Sequence, residues 1–87
     1  MKFTVLWKKP AEDALAGIWL AADDRELITR TAFEIDRRLE KEPQSAGESR
    51  PDGTRILIRA PLGVKFQVYA EDRIVRVADV WRFRVHR

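Results

Sequence analysis

The chain has 87 residues and a net charge of +3, with 17 Lys and Arg against 14 Asp and Glu. A chain of this length forms one small domain with a modest core. It has no cysteine and one histidine, which excludes disulfides and thiolate metal sites and argues against a zinc centre, so we expect neither a metal nor a cofactor.

Nothing in the sequence predicts a membrane segment or a leader peptide. No apolar run approaches the roughly 20 residues that a membrane-spanning helix needs. The first residues, Met1–Trp7, form too short an apolar run for a signal peptide and lack a small-residue cleavage site. We therefore expect a cytoplasmic protein that has no contact with a membrane.

The charges are unevenly distributed along the chain. Residues 1–49 carry eight Lys and Arg against ten Asp and Glu, whereas residues 50–87 carry nine against four. This asymmetry predicts a polarised basic surface, which suits contact with RNA, DNA or another anion. Arginine-rich strands also protect sheet edges from aggregation, so a merely solvated surface stays open as an alternative.

The N-terminal part of the chain predicts one strand and one helix. Lys2–Trp7 is rich in β-forming residues. Pro10 suits the first turn of a helix, and apolar residues then recur with helical spacing. The stripe of this first helix consists of Ala11, Ala14, Leu15, Ile18, Trp19 and Ala22.

A second helix is predicted directly after the first. Asp23 or Asp24 is its candidate N-cap, and it extends to about Lys41. Because two or three residues separate the helices, they must fold back as a hairpin. A polar loop, 42–53, follows, in which Gly47 and Gly53 are predicted to hold turn conformations. The stripe of the second helix consists of Ile28, Ala32, Ile35 and Leu39.

Three strands are predicted in the last third of the chain, over Arg55–Ala60, Val64–Ala70 and Arg73–Trp81. A tight turn at residues 60–63, with Pro61 in its second position, joins the first two. In the first strand one face carries Arg55, Leu57 and Arg59 and the other Ile56, Ile58 and Ala60. In the second strand the predicted core residues are Val64, Phe66 and Val68.

These elements predict an α+β domain with the order β-α-α-β-β-β. A helical hairpin packs on one face of a small, mostly antiparallel sheet, and the other face stays open or is covered by another molecule. The last strand is apolar at most positions, as a central strand would be. We expect all 87 residues to belong to this single domain.

The order of elements and several local strings resemble the RelE/ParE superfamily of toxins from type II toxin–antitoxin systems. The strings extend over nearly the whole chain. They are a first strand ending in Trp7, Ala11–Trp19, Ile35–Leu39 followed by Pro43 and Gly47, Gly53–Leu57, Gly63–Val68, and a last strand ending Val80-Trp81-Arg82.

This resemblance implies a small toxin that a cognate antitoxin holds inactive. RelE-like toxins cleave mRNA on the ribosome, whereas ParE-like toxins poison DNA gyrase and are not nucleases. The two branches share the fold, so the fold alone does not choose between them. We expect growth inhibition, with mRNA cleavage on the ribosome favoured over action on gyrase.

For RNA cleavage, the resemblance places the catalytic cations on the last strands and the tail. A metal-independent nuclease needs a base, an acid and cations for the phosphate. The candidate catalytic residues are Arg55, Lys65, Arg82, Arg84 and His86, of which the pair Arg82 and Arg84 is favoured because alternate residues share a strand face. Candidate contacts to nucleic acid or a partner are Arg59, Arg76, Phe83 and Arg87.

Structural roles compete with each of these assignments. Arg55 and Arg59 could brace the sheet or pair with the acidic first helix, and Lys65 could be a solvated strand residue. Phe83 stands where an active toxin needs a proton donor, and His86 lies close to the chain end, where order is least expected. A toxin that only binds proteins, or a catalytically silent member that binds an antitoxin, therefore stays open.

Overall fold

Within residues 2–84, the computed structural model contains two helices and five strands. The predicted α+β order is confirmed, with one short extra strand, β2, inside the loop after the second helix. The elements are β1 (Thr4–Trp7), α1 (Lys9–Ala21), α2 (Arg25–Lys41), β2 (Glu48–Ser49), β3 (Arg55–Arg59), β4 (Leu62–Tyr69) and β5 (Ile74–Arg82).

The strands form one mixed sheet in the order β1-β5-β4-β3-β2. β1 is parallel to β5, with Thr4 opposite Ile74 and Trp7 opposite Val77, and the other three pairs are antiparallel. β5 therefore lies between two neighbours, as its apolar sequence predicts. The helical crossover between β1 and the rest of the sheet is what allows a parallel pair.

The two helices form a hairpin over one face of the sheet, which we call the helix side. α1 has Pro10 in its first turn and lies over β5. α2 buries Ile28, Thr31, Ile35 and Leu39, whose spacing of three and four residues places them on one stripe. These side chains meet the sheet residues that point to the same side.

The hydrophobic core lies between this hairpin and the two central strands. Its sheet residues are 0–3% exposed and are Leu62, Val64 and Phe66 of β4 and Val75, Val77 and Val80 of β5. Val77 and Val80 are three residues apart, yet both are buried because the pairing with β4 shifts register between Lys65 and Phe66. Such a shift re-aims the side chains that follow it.

The structure corrects one boundary of the predicted strands and shows which face of β3 is buried. β4 begins at Leu62 and not at Val64, so the turn is confined to Ala60 and Pro61 and Leu62 is fully buried. Leu57 packs against the core, whereas Ile58 on the opposite face is 54% exposed. The face that carries Arg55 and Arg59 is therefore the helix side.

The opposite face of the sheet, which we call the open face, carries Ile58, Gly63, Lys65, Gln67, Arg76 and Trp81. Trp81 is half-buried on this face. A Cβ atom on Gly63 would lie 2.6 Å from Cε2 of the Trp81 ring, so the indole needs a glycine beneath it.

The predicted turn glycines are confirmed. Gly47 and Gly53 have φ angles of 65° and 87°, in the region that residues with a Cβ rarely adopt. At Gly47 a Cβ would also collide with the backbone carbonyl of Ile56. Among the helices described, neither is long and apolar enough to cross a membrane.

Candidate functional site

The cations singled out in the sequence lie on two different sides of the sheet. Arg55, Arg59 and Arg82 have partners on the helix side, in the loop after α2, in α2 and beside its N-terminus. Lys65 and Arg76 lie on the open face. Of the predicted catalytic residues in the described part of the chain, Lys65 therefore lies on the other side of the sheet from Arg55 and Arg82.

Arg55 holds the loop between α2 and β3. Its Nε donates to the carbonyl of Ala46 at 2.9 Å, and a terminal nitrogen donates to the carbonyl of Gly47 at 3.2 Å. The side chain is half-buried against the β2 segment. This is the bracing role that competed with catalysis for Arg55.

Arg59 pairs with the second helix and not with the acidic first helix. Its guanidinium donates to the Glu34 carboxylate at 3.2 Å, and the two side chains are 58% and 42% exposed. Exposed ion pairs of this kind contribute little to stability. Arg59 can therefore exchange Glu34 for another anion at small cost.

Arg82 makes a bidentate ion pair with Asp24. Its two terminal nitrogens donate to the two carboxylate oxygens, each at 3.0 Å, which joins the end of β5 to the start of α2. The hydrogen bonds from Arg82 lower the pKa of Asp24. Because this pairing uses the guanidinium fork, a phosphate would have to displace Asp24 to take the same geometry.

Arg84 is outside the strand, contrary to the prediction that it shares a strand face with Arg82. β5 ends at Arg82, and the backbone N–H of Phe83 donates to the carbonyl of Pro61 at 3.0 Å. Arg82, Phe83 and Arg84 nevertheless line one polar groove together with Asp23 and Asp24. His86 and Arg87 lie outside the described residues.

The two open-face cations also have neighbours. Lys65 pairs with Asp52 at 3.4 Å, and Arg76 lies 5.5 Å from the centre of the Tyr69 ring. Hydrogen bonds from the Thr54 hydroxyl and backbone N–H lower the pKa of Asp52, and the charge of Lys65 adds to this. Both cations are thus engaged by neighbouring groups of the same chain.

The sequence did not locate a second surface, which we call the hairpin groove. It has a volume of about 910 Å³ and lies between β1, α1 and α2, where Leu6, Trp19, Leu20 and Phe33 form apolar walls. The only clue in the sequence was Asp36, an acid that directly follows Ile35 of the buried stripe.

Asp36 is the polar centre of this groove. The indole N–H of Trp7 donates to its Oδ1 atom at 2.7 Å. Burial raises the pKa of Asp36; the bond from Trp7 opposes this effect, and the nearby Glu40 carboxylate adds to it. The structure therefore holds a half-buried carboxylate beside exposed apolar side chains.

The remaining candidate proton donor of the described strands is Tyr69. Tyr69 donates its hydroxyl to Gln67 at 2.9 Å on the outer part of the open face. Across residues 2–84, no group of three or more His, Asp and Glu is placed to hold a metal ion.

Similarity to solved structures decides the fold. A chain of the toxin–antitoxin complex RelBE2 from Mycobacterium tuberculosis aligns with a TM-score of 0.79 at 18% identity, over 95% of this chain and 100% of that chain. The chain has the RelE/ParE toxin fold. The resemblance of the sequence strings is confirmed at this level.

Two further structures with the RelE/ParE fold also align over nearly the whole of this chain. A chain of the chromosomal ParDE system from P. aeruginosa gives a TM-score of 0.70 at 20% identity, over 95% of this chain and 98% of that chain. The isolated E. coli RelE toxin gives a TM-score of 0.59 at 17% identity, over 97% of this chain and 87% of that chain. The sequence matches no protein-family model and no curated protein.

Proposed function

We propose that this protein is the toxin of a type II toxin–antitoxin pair, which arrests growth and is held inactive by its antitoxin. The observation that carries the proposal is the RelE/ParE fold over 95% of the chain, shared with chains of the RelBE2 and ParDE systems. The hairpin groove supports it, because a large exposed apolar surface on a small protein favours a protein partner.

For the mode of action, the geometry favours binding to a protein target, as in the gyrase-poisoning branch of the superfamily. Arg55 and Arg82, two of the predicted catalytic cations, are hydrogen-bonded within their own chain. Both point to the helix side, away from Lys65. A nuclease needs such cations to converge on one phosphate.

Ribosome-dependent mRNA cleavage is the second candidate, and one observation supports it. Arg82, Phe83 and Arg84 line the same polar groove, which combines two cations with an aromatic ring. Cations bind phosphates, and aromatic rings stack on unpaired bases. The Asp24 carboxylate would then be a competitor that RNA displaces from Arg82.

The experiment starts with regulated expression in a bacterial host, with and without the adjacent open reading frame that encodes the candidate antitoxin. We expect growth to stop on expression and to resume when the antitoxin is co-expressed. Normal growth on expression of folded protein would overturn the proposal. Trapped gyrase–DNA complexes with intact mRNA are the expected molecular result.

Two variants separate the modes of action. Arg82→Ala combined with Arg84→Ala should leave growth arrest unchanged if the target is gyrase, and should abolish mRNA cleavage if the target is ribosomal mRNA. Asp24→Asn is the matched variant, because asparagine has nearly the same shape but lacks the charge that holds Arg82, and the Asp24 side chain makes no capping hydrogen bond that the change could remove. Cleavage that rises in Asp24→Asn would assign the nuclease mode and refute ours.

A further inference from the structure

The exposed apolar side chains of the protein are concentrated in the hairpin groove. Of the six large hydrophobic residues that are exposed within residues 2–84, four line this groove: Leu20 and Phe33 are 65% and 60% exposed, and Leu6 and Trp19 are 45% and 39% exposed. A contiguous patch of this kind on a small domain is typical of a binding surface.

The charged residues that line the groove are both acidic, namely Glu12 and Asp36. Asp36 has the Trp7 indole as its hydrogen-bond donor, and no ion pair joins it to a cation of the described chain. A half-buried carboxylate without a neutralising partner favours a cation that a ligand brings.

Two arginines lie near the groove without lining it. Arg25 stacks on Trp19 with its guanidinium carbon 4.6 Å from the ring centre, and it donates to the carbonyls of Trp19 and Leu20. Arg37 lies 6.0 Å from the centre of the Phe33 ring. Neither arginine lines the groove, but each lies against an aromatic residue that does, so the acidic lining has basic neighbours.

We propose that the hairpin groove binds an amphipathic helix with an aliphatic stripe, one Lys or Arg at the centre of that stripe, and acidic residues on its flanks. The central cation pairs with Asp36, and the flanking acids face Arg25 and Arg37. A helix fits because its apolar side chains at i, i+3, i+4 and i+7 enter a groove between two other helices. The inference rests on the proposed function, in which this helix belongs to the antitoxin.

The test uses synthetic peptides and does not depend on knowing the antitoxin. Two stapled helical peptides share a leucine stripe and acidic flanks and differ only at the central stripe position, which is lysine in one and glutamate in the other. Calorimetric titration into the full chain should give a dissociation constant for the lysine peptide that is lower than that of the glutamate peptide by about tenfold or more, as for other desolvated charge pairs.

Three variants assign this preference to the groove. Asp36→Asn should remove the difference between the peptides, and its amide oxygen can still accept the bond from Trp7. Asp13→Asn, which removes a carboxylate of α1 that does not line the groove, should leave the difference intact. Leu20→Glu should weaken both peptides, and because Leu20 is exposed the substitution leaves the core unchanged.

Equal affinity for the two peptides, or a lysine preference that persists in Asp36→Asn, would overturn the inference. Sedimentation that reveals a dimer which Leu20→Glu dissociates would instead assign the groove to a second copy of the chain. The proposed function fails separately, if expression does not arrest growth. The groove assignment alone would be rejected by a different result. In that case expression arrests growth, and the antitoxin still rescues growth in the Asp36→Asn and Leu20→Glu variants as it does in the wild-type protein.

Discussion

The protonation of Asp36 is coupled to the stability of the domain. Its carboxyl group is half-buried, with the Trp7 indole of β1 and the Glu40 carboxylate of α2 nearby, and burial raises its pKa. A raised native pKa means that the folded protein holds the proton to higher pH than the unfolded chain does. The free energy of unfolding therefore falls as pH rises through this interval.

Asp36→Asn should remove this dependence. We expect the variant to gain stability relative to the wild-type protein as pH rises from the ordinary aspartate pKa of 3.8 through the raised native pKa of Asp36. At pH values above the native pKa, the variant should keep this gain. Urea unfolding at a series of pH values measures the difference. Asp13→Asn controls for the loss of one negative charge, and a difference that shrinks with rising pH would contradict the expectation.

The residue scale also explains why the candidate site was predicted only in part. Arg82 and Asp24 are 58 residues apart in the sequence, so no local sequence pattern predicts their bidentate ion pair. Strand alternation placed Arg55 and Arg59 on one face correctly. It could not say that this face lies under the helices, since Leu57 and Ile58 are both apolar.

At the scale of secondary-structure elements, the sequence predicts the helices and strands whose apolar residues recur with a regular period. Both helices and the three long strands have regular apolar spacing, and all are found within two residues of the predicted boundaries. β2 was missed because its two residues, Glu48 and Ser49, carry no apolar pattern. It exists because β3 offers it backbone hydrogen bonds and Arg55 fixes the loop beside it.

The Arg55 brace should therefore matter for stability more than other surface arginines do. We expect Arg55→Ala to lower the free energy of unfolding by about 1–3 kcal/mol, because it leaves the carbonyls of Ala46 and Gly47 without their donors. Arg59→Ala, which removes an exposed ion pair from the same strand face, should cost at most about 1 kcal/mol. Denaturant unfolding of both variants checks the contrast, and equal losses would refute the bracing role.

At the scale of the whole molecule, the parallel pair β1–β5 is the most distant contact of the sheet. Thr4 pairs with Ile74, whereas β3, β4 and β5 are joined by tight hairpins. Distant pairs form late in folding, because closing a long loop costs entropy before any contact stabilises it. The central hairpins are thus expected to form the folding nucleus.

Two valine truncations test this order. Val5→Ala in β1 should mainly speed unfolding, whereas Val64→Ala in β4 should also slow folding, since only the second residue belongs to the nucleus. Both changes remove the same two methyl groups from side chains that contact the core. Stopped-flow chevron plots measure the two rates, and a slower folding rate in Val5→Ala would place β1 in the nucleus instead.

The β1–β5 pairing also bears on how the protein is made. The ribosome synthesises β1 some 70 residues ahead of its partner strand, which at about 5–20 residues per second is a wait of about 4–14 s. Val5 and Trp7 cannot dock until β5 has emerged, so the hairpin groove does not exist on the nascent chain. A translation arrest before β5 therefore yields a chain in which this groove is not formed.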